Sequence, residues 1–249
     1  LRAGDHFFLD DSAHFSLWDA AALSNCPQTP FRHLSPGALA KALTDELRPG
    51  EHPIVLTDGL FPISGEIAPL PAYLDLLSPL HGAMIVDDAH AVGVLGAQGR
   101  GTLEHFGIDD PCCQAVGTFN KSLGGFGGFI SGDRKKLDRI EQNSRILIGS
   151  SPPPLPAAAA SAKALQLLRG SPQRLTSLRA NIEHARSGLV ALGWDLPAGP
   201  SPILCLRGRD GVNLIELRDG LFKNGIAVEY VTPHQIDHLL QILRELLNR

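Results

Sequence analysis

Residues 83–90 read AMIVDDAH: four apolar residues, two carboxylates, an alanine and an imidazole. A short apolar run bounded by a turn signal reads as a buried strand. Gly82 supplies that signal as the C-terminal stop of a helix predicted over Pro71–Leu80. The polar cluster Asp87-Asp-Ala-His90 then falls just beyond the strand. The same grammar recurs twice. Residues 114–121, QAVGTFNK, run from an apolar strand into Lys121, and residues 7–14, FFLDDSAH, run from one into Asp10, Asp11 and His14. In open α/β sheets, ligands bind outside the carboxyl ends of the strands. Parallel strands therefore bring these three distant clusters to one rim.

The flanking segments support a parallel sheet. Ser35-Pro36 opens a helix, since Ser caps orphan N–H groups and Pro has no N–H to lose at the first position. Leu39, Leu43 and Leu47 recur on one face, and Arg48-Pro-Gly50 ends the segment. Pro53–Thr57 reads as the next buried strand, and Gly128–Ser131 as another. Strands alternating with helices predict an α/β fold, a mostly parallel sheet with helices on both faces. A charged helix is expected from Asp133 to Arg145, an Ala-rich helix over Pro156–Leu168, and an amphipathic helix ending near Leu192. A smaller α/β domain is expected after these, with strands at Ile203–Leu206 and Ile226–Val231 and helices over Val212–Asn224 and Pro233–Asn248. The predicted division is a large domain over 1–169 and a small C-terminal domain over 170–249.

Composition narrows the function classes. The chain has 249 residues, 43% of them apolar and 19% charged, which is ordinary for a globular protein. The net charge of −4 comes with no basic cluster, so no nucleic-acid footprint is expected. No apolar run reaches membrane-span length. The four cysteines show no CxxC spacing, and reduced thiols in a cytoplasmic protein are expected. The chain starts at Leu1 without a signal-peptide pattern or an initiator Met, so it is expected to begin inside a longer protein. His234 and His238 have metal-compatible spacing but no third ligand, so no metal centre is expected.

A lysine, a carboxylate and imidazoles in one cleft suit pyridoxal phosphate. Lys121 would condense with the cofactor aldehyde as a Schiff base. It must be neutral to attack, and burial among the small residues of GTFNKSLGGFGGF (117–129) is expected to lower its pKa. Asp87 is the candidate partner of the pyridine nitrogen. An imidazole can lie against the ring or bond its 3′-oxygen, and Thr118 can bond the phosphate.

VDDAHAVGVLGAQGRG (86–101), followed by GTFNKSLGGFGGF (117–129), resembles the α-oxoamine synthase family of fold-type-I pyridoxal phosphate enzymes. That family includes 8-amino-7-oxononanoate synthase, 2-amino-3-ketobutyrate CoA ligase and serine palmitoyltransferase. DDSAHFS (10–16), LTDGLFPISGEIAPLPAYLDLL (56–77) and SRILIGSSPPP (144–154) extend the resemblance over nearly the whole chain. It implies that His14 stacks on the cofactor ring, Asp87 pairs with the pyridine nitrogen and His90 bonds the 3′-oxygen. Thr118 would hold the phosphate, and Ser150 or Ser151 would reach the cofactor phosphate of a neighbouring subunit in a homodimer. Lys121 and His14 are the catalytic candidates. The implied activity is an acyltransferase that condenses an amino acid with an acyl-CoA or acyl-carrier thioester, usually with decarboxylation. An aminotransferase of the same fold and a non-catalytic partner subunit are the alternatives.

The chain departs from the family pattern in places. Phe61-Pro-Ile63 stands where the family has Phe-Ser-Met, and Asp58 and Glu66 each exchange one acid for the other. The family also has a preceding segment with a phosphate-cradling glycine loop, and an arginine-containing strand near where Val231-Thr-Pro-His234 stands here. Omission of both segments from the chain is expected.

Overall fold

The computed structural model describes residues 4–144, 147–208 and 210–227. It separates into two compact units, one of residues 1–61 and 67–171, the other of 62–66 and 172–249.

The first unit is built on a six-stranded sheet. Its strands are β1 (Asp5–Asp10), β2 (Gln28–Phe31), β3 (His52–Asp58), β4 (Ala83–Asp87), β5 (Cys113–Thr118) and β6 (Gly128–Ile130). The spatial order is β2-β1-β3-β4-β5-β6, parallel throughout except for the antiparallel β5–β6 pair. Sheets of this kind are covered on both faces, so their central strands are apolar on both sides. All six residues of β1 and the last six of β3 are buried.

The alternation of side chains sorts the core into two layers. Phe8, Val55, Met84 and Val86 point to one face. There they meet Leu39 and Leu43 of α2 (Pro36–Glu46) and Tyr73 and Leu77 of α3 (Leu70–Leu77). Phe7, Leu9, Ile54 and Leu56 point the other way, onto Leu17 and Ala21 of α1 (Phe15–Ala22). The expected α/β architecture with helices on both faces is observed. Ser35 caps α2 by accepting from the Ala38 N–H at 3.2 Å. A 3₁₀ turn, Ser78–Leu80, follows α3 and delivers the chain to β4.

Three elements had no forecast. Helix α1 starts at His14, an unusual N-cap, and α4 (Thr102–Phe106) is a single turn and a half. Strand β2 carries Pro30, which a sheet tolerates at an edge position such as this. Helix α5 (Arg134–Asn143) is capped by Asp133, and α6 (Leu155–Gly170) is the Ala-rich helix.

In the second unit, α7 (Gln173–Ala191) and α8 (Leu214–Lys223) enclose a small core of Leu189, Trp194, Leu217, Leu221 and Ile226. The strand expected at Ile203–Leu206 does not form a ladder among the described residues. Leu204 and Leu206 instead pack singly against this core. The strand expected at Ile226–Val231 from residue 228 onward, and the helix over Pro233–Asn248, lie outside the described residues, as do His234 and His238.

Truncation of Leu39, which has no exposed surface, to Ala should cost about 2–5 kcal/mol, and Ser35→Ala about 1 kcal/mol. Urea unfolding followed by circular dichroism measures both, and Leu39→Ala should have the lower midpoint.

Candidate active site

Parallel register sets the rim. Asp58 ends β3 opposite Asp87 at the end of β4, and Asp87 lies opposite Val116 in β5. Asp10 ends β1 on the other side of β3. The rim thus gathers carboxylates, and the chain stabilises each with backbone N–H groups.

Asp10 is fully buried and accepts from the N–H groups of Ser12 and Leu34, each at 3.0 Å, and from His33 Nδ1 at 2.8 Å. Asp58 is 2% exposed and accepts from the His14 N–H at 2.7 Å. Burial pushes its pKa up to about 6, the His14 N–H opposes this, and the charges of Asp87 and Asp10 add to it. Asp87 is half-buried, and the Ala89 N–H donates to its Oδ1 at 2.9 Å. Asp88 has no exposed surface, and burial raises its pKa to about 6 against the hydrogen bonds from Thr102.

Of the expected residues, Asp87, Lys121 and His14 lie near enough to His90 for their charges to act on it. His90 is half-buried, and burial lowers its pKa. The charge of Lys121 lowers it further, Asp87 raises it and His14 lowers it, so all four groups share one electrostatic neighbourhood. His14 caps α1: its Nδ1 accepts from the Ser16 N–H at 3.3 Å and lies 2.7 Å from the Ser16 hydroxyl. Its half-buried ring leans on Phe15 with centroids 4.2 Å apart. Thr118 closes β5, where its hydroxyl donates to the Gly127 carbonyl at 3.1 Å and accepts from the Asn120 N–H at 3.1 Å.

Lys121 corrects one expectation. The residue expected to be dry at a strand end is exposed. The strand stops at Thr118, three residues earlier, and the chain then turns outward. The loop closes on itself through Gly125 N–H to the Phe119 carbonyl at 2.6 Å and Phe119 N–H to the Gly127 carbonyl at 2.9 Å. The lysine rides on the outside of that closure. Ser150 and Ser151 are also exposed and follow a turn at residues 147–149.

Asp88 escaped the reading of the sequence, which singled out its neighbour. The available signal was alternation: adjacent residues at a strand end face opposite ways, so one carboxylate of the pair had to turn inward.

Asp58 carries a testable pH dependence. Its folded pKa of about 6 exceeds its ordinary 3.8, so the native state holds the extra proton between those values. Stability therefore falls as pH rises through that window, by at most about 1.4 kcal/mol per pH unit for one group. Asp58→Asn keeps an acceptor for the His14 N–H and should flatten this part of the profile. Urea midpoints at pH 4, 5, 6 and 7 (roughly spanning the window) measure it, and an unchanged slope would refute the assignment.

The chain is similar over 92% of its length to the 8-amino-7-oxononanoate synthase of Methylococcus capsulatus, with 37% identity over 231 residues that make up 59% of that protein. It is 33% identical over 232 residues to the serine palmitoyltransferase of Sphingobacterium spiritivorum, covering 91% of this chain and 58% of that one. Among solved structures, a serine palmitoyltransferase holding pyridoxal phosphate as an internal aldimine superposes with a TM-score of 0.87 at 25% identity, covering 97% of this chain and 66% of that one. The chain thus spans somewhat under two thirds of the length of the curated relatives it matches. The family model for aminotransferase class I and II matches residues 1–243, and the chain belongs to that family.

Proposed function

We propose that the protein is a pyridoxal phosphate-dependent acyltransferase of the α-oxoamine synthase type, joining an amino acid to an acyl-CoA or acyl-carrier thioester. The observation that carries this reading is the convergence of Lys121, Asp87, His90 and His14 in one electrostatic neighbourhood at the carboxyl rim of the sheet. The fit to the cofactor rests on donor chemistry. A primary amine, a carboxylate, two imidazoles and a hydroxyl correspond to an aldehyde, a pyridine nitrogen, a ring face with its 3′-oxygen, and a phosphate. The resemblance of 86–101 and 117–129 to that family, and relatives named 8-amino-7-oxononanoate synthase and serine palmitoyltransferase, support the same activity.

When bound, pyridoxal phosphate supplies an aldehyde carbon for amines and a ring that accepts electrons from the substrate Cα. The chain's own residues do the rest. Lys121 would hold the cofactor through its amine and serve as the base toward the substrate Cα proton. Asp87, its Oδ1 oriented by the Ala89 N–H, would hold a proton at the pyridine nitrogen. His90 would donate to the 3′-oxygen, and His14, steadied by Asp58 and Ser16, would pack against the ring. Thr118 would offer its hydroxyl to the phosphate.

Ser150 or Ser151 serves the partner's phosphate in a homodimer. The division into a large domain over 1–169 and a small one over 170–249 follows the same family plan. Four free cysteines support a reducing, cytoplasmic location. No helix among the described residues is long and apolar enough to cross a membrane.

Borohydride treatment of the protein loaded with pyridoxal phosphate, followed by peptide mass mapping, should fix a pyridoxyl group on Lys121 and on no residue of Lys121→Ala. A screen of glycine, alanine and serine against acyl-CoA donors should release CoA. Amino transfer to a 2-oxo acid without thioester consumption would replace this reading with an aminotransferase.

A further inference from the structure

Asp88 is a fully buried carboxylate at the rim that this mechanism does not use. Asp88 follows Asp87 at the end of β4, and its side chain turns inward while that of Asp87 faces the rim. Both its oxygens are occupied. The Thr102 N–H donates to Oδ2 at 2.8 Å, and the Thr102 hydroxyl donates to Oδ1. Gly59 and Gly101 flank the carboxylate so closely that a Cβ at either position would collide with one of its oxygens. Gly101 also has φ of +107°, a conformation that suits glycine.

The backbone of Asp88 is held as firmly. Its N–H donates to the Val116 carbonyl of β5 at 2.8 Å, and the Gly59 N–H donates to the Asp87 carbonyl at 2.9 Å. The Asp88 carbonyl accepts from both the Ala91 and Val92 N–H groups at 2.9 Å, closing the turn that carries His90. Asp88 therefore ties together β5, the His90 turn and the start of α4, beside the bond that joins Asp87 to the end of β3.

We propose that Asp88 is the positioning residue of this site: clamped by Thr102 between Gly59 and Gly101, it fixes the end of β4 so that Asp87 and His90 face the cofactor. The inference rests on the pyridoxal phosphate reading for the ligand, and on the geometry alone for the clamp. Thr102 presents two donors, and the two carboxylate oxygens accept one each. An apolar residue in place of Asp88 would leave the Thr102 N–H and hydroxyl buried without an acceptor. A residue that only filled space would not need this match.

Thr102→Val removes the hydroxyl donor without changing any charge, Thr102→Ser restores it, and Asp88→Ala removes both acceptors. The first readout needs no cofactor. Titration of the His90 ring protons by NMR reports its distance from Asp87, Lys121 and His14, the groups whose charges act on it. Because burial and the Lys121 charge are the larger influences on His90 and both lower its pKa, release of the strand end in Thr102→Val should move the His90 midpoint to higher pH, with Thr102→Ser close to wild type. The second readout is pyridoxal phosphate affinity by equilibrium dialysis, expected to weaken about 10-fold or more in Asp88→Ala and Thr102→Val, as for groups that orient ligand-binding residues elsewhere. A His90 titration in Thr102→Val superimposable on wild type, with or without a lower unfolding temperature, overturns the proposal and leaves Asp88 a purely structural residue. Failure of the wild type to take up the cofactor would overturn the proposed function, and the NMR arm would still decide the clamp.

Discussion

Carboxylates at the ends of buried parallel strands have to be reconciled with the loss of water, and the first unit is organised around that requirement. Burial disfavours the charged form unless hydrogen bonds replace hydration. Asp10 and Asp58 are each met by a backbone N–H from the segment that follows a neighbouring strand, and Asp88 by one from further along the segment that follows its own. Those bonds serve two ends. They make acid burial tolerable, and they stitch each loop to the adjacent strand end. The loops carrying His14 and His90 are therefore held by the carboxylates beside them, and the sheet's register is passed on to the side chains at its rim.

The remaining construction follows from the same sheet. Covering both faces requires continuous apolar strands, which β1 and β3 supply, and helices whose apolar stripes match the two layers. The antiparallel β6 is the exception. It reverses the chain after the glycine-rich loop, and so brings the Lys121 segment back to the edge beside β5.

Much of this could be read from the residues. AMIVD, HPIVLTD and DHFFLD announce strands by apolar density, and Ser35-Pro36 announces α2 by its capping chemistry. The rim cluster was legible because a polar residue immediately after an apolar run has few other places to go. What was not legible has physical causes. Strand β2 is short, edge-placed and interrupted by Pro30, so its pairing comes from β1 and not from its own pattern. Helix α1 is started by an imidazole doing the work usually done by a hydroxyl. The exposure of Lys121 depends on hydrogen bonds between Phe119, Gly125 and Gly127, which glycine content alone does not reveal. Asp88 and Thr102 lie fourteen positions apart, and their pairing exists only once the loop is folded.

The closed loop between β5 and β6 has a consequence for how such a site diversifies. Both of its feet are stitched to each other, by Thr118 and Phe119 on one side and Gly127 on the other. The segment between them is anchored as well: Leu123 is buried, the Ser122 hydroxyl donates to the Val92 carbonyl, and the Gly125 N–H returns to Phe119. A residue inserted on either side of the lysine would break one of these ties. Natural variation in this loop should therefore fall on its exposed side chains and spare its length.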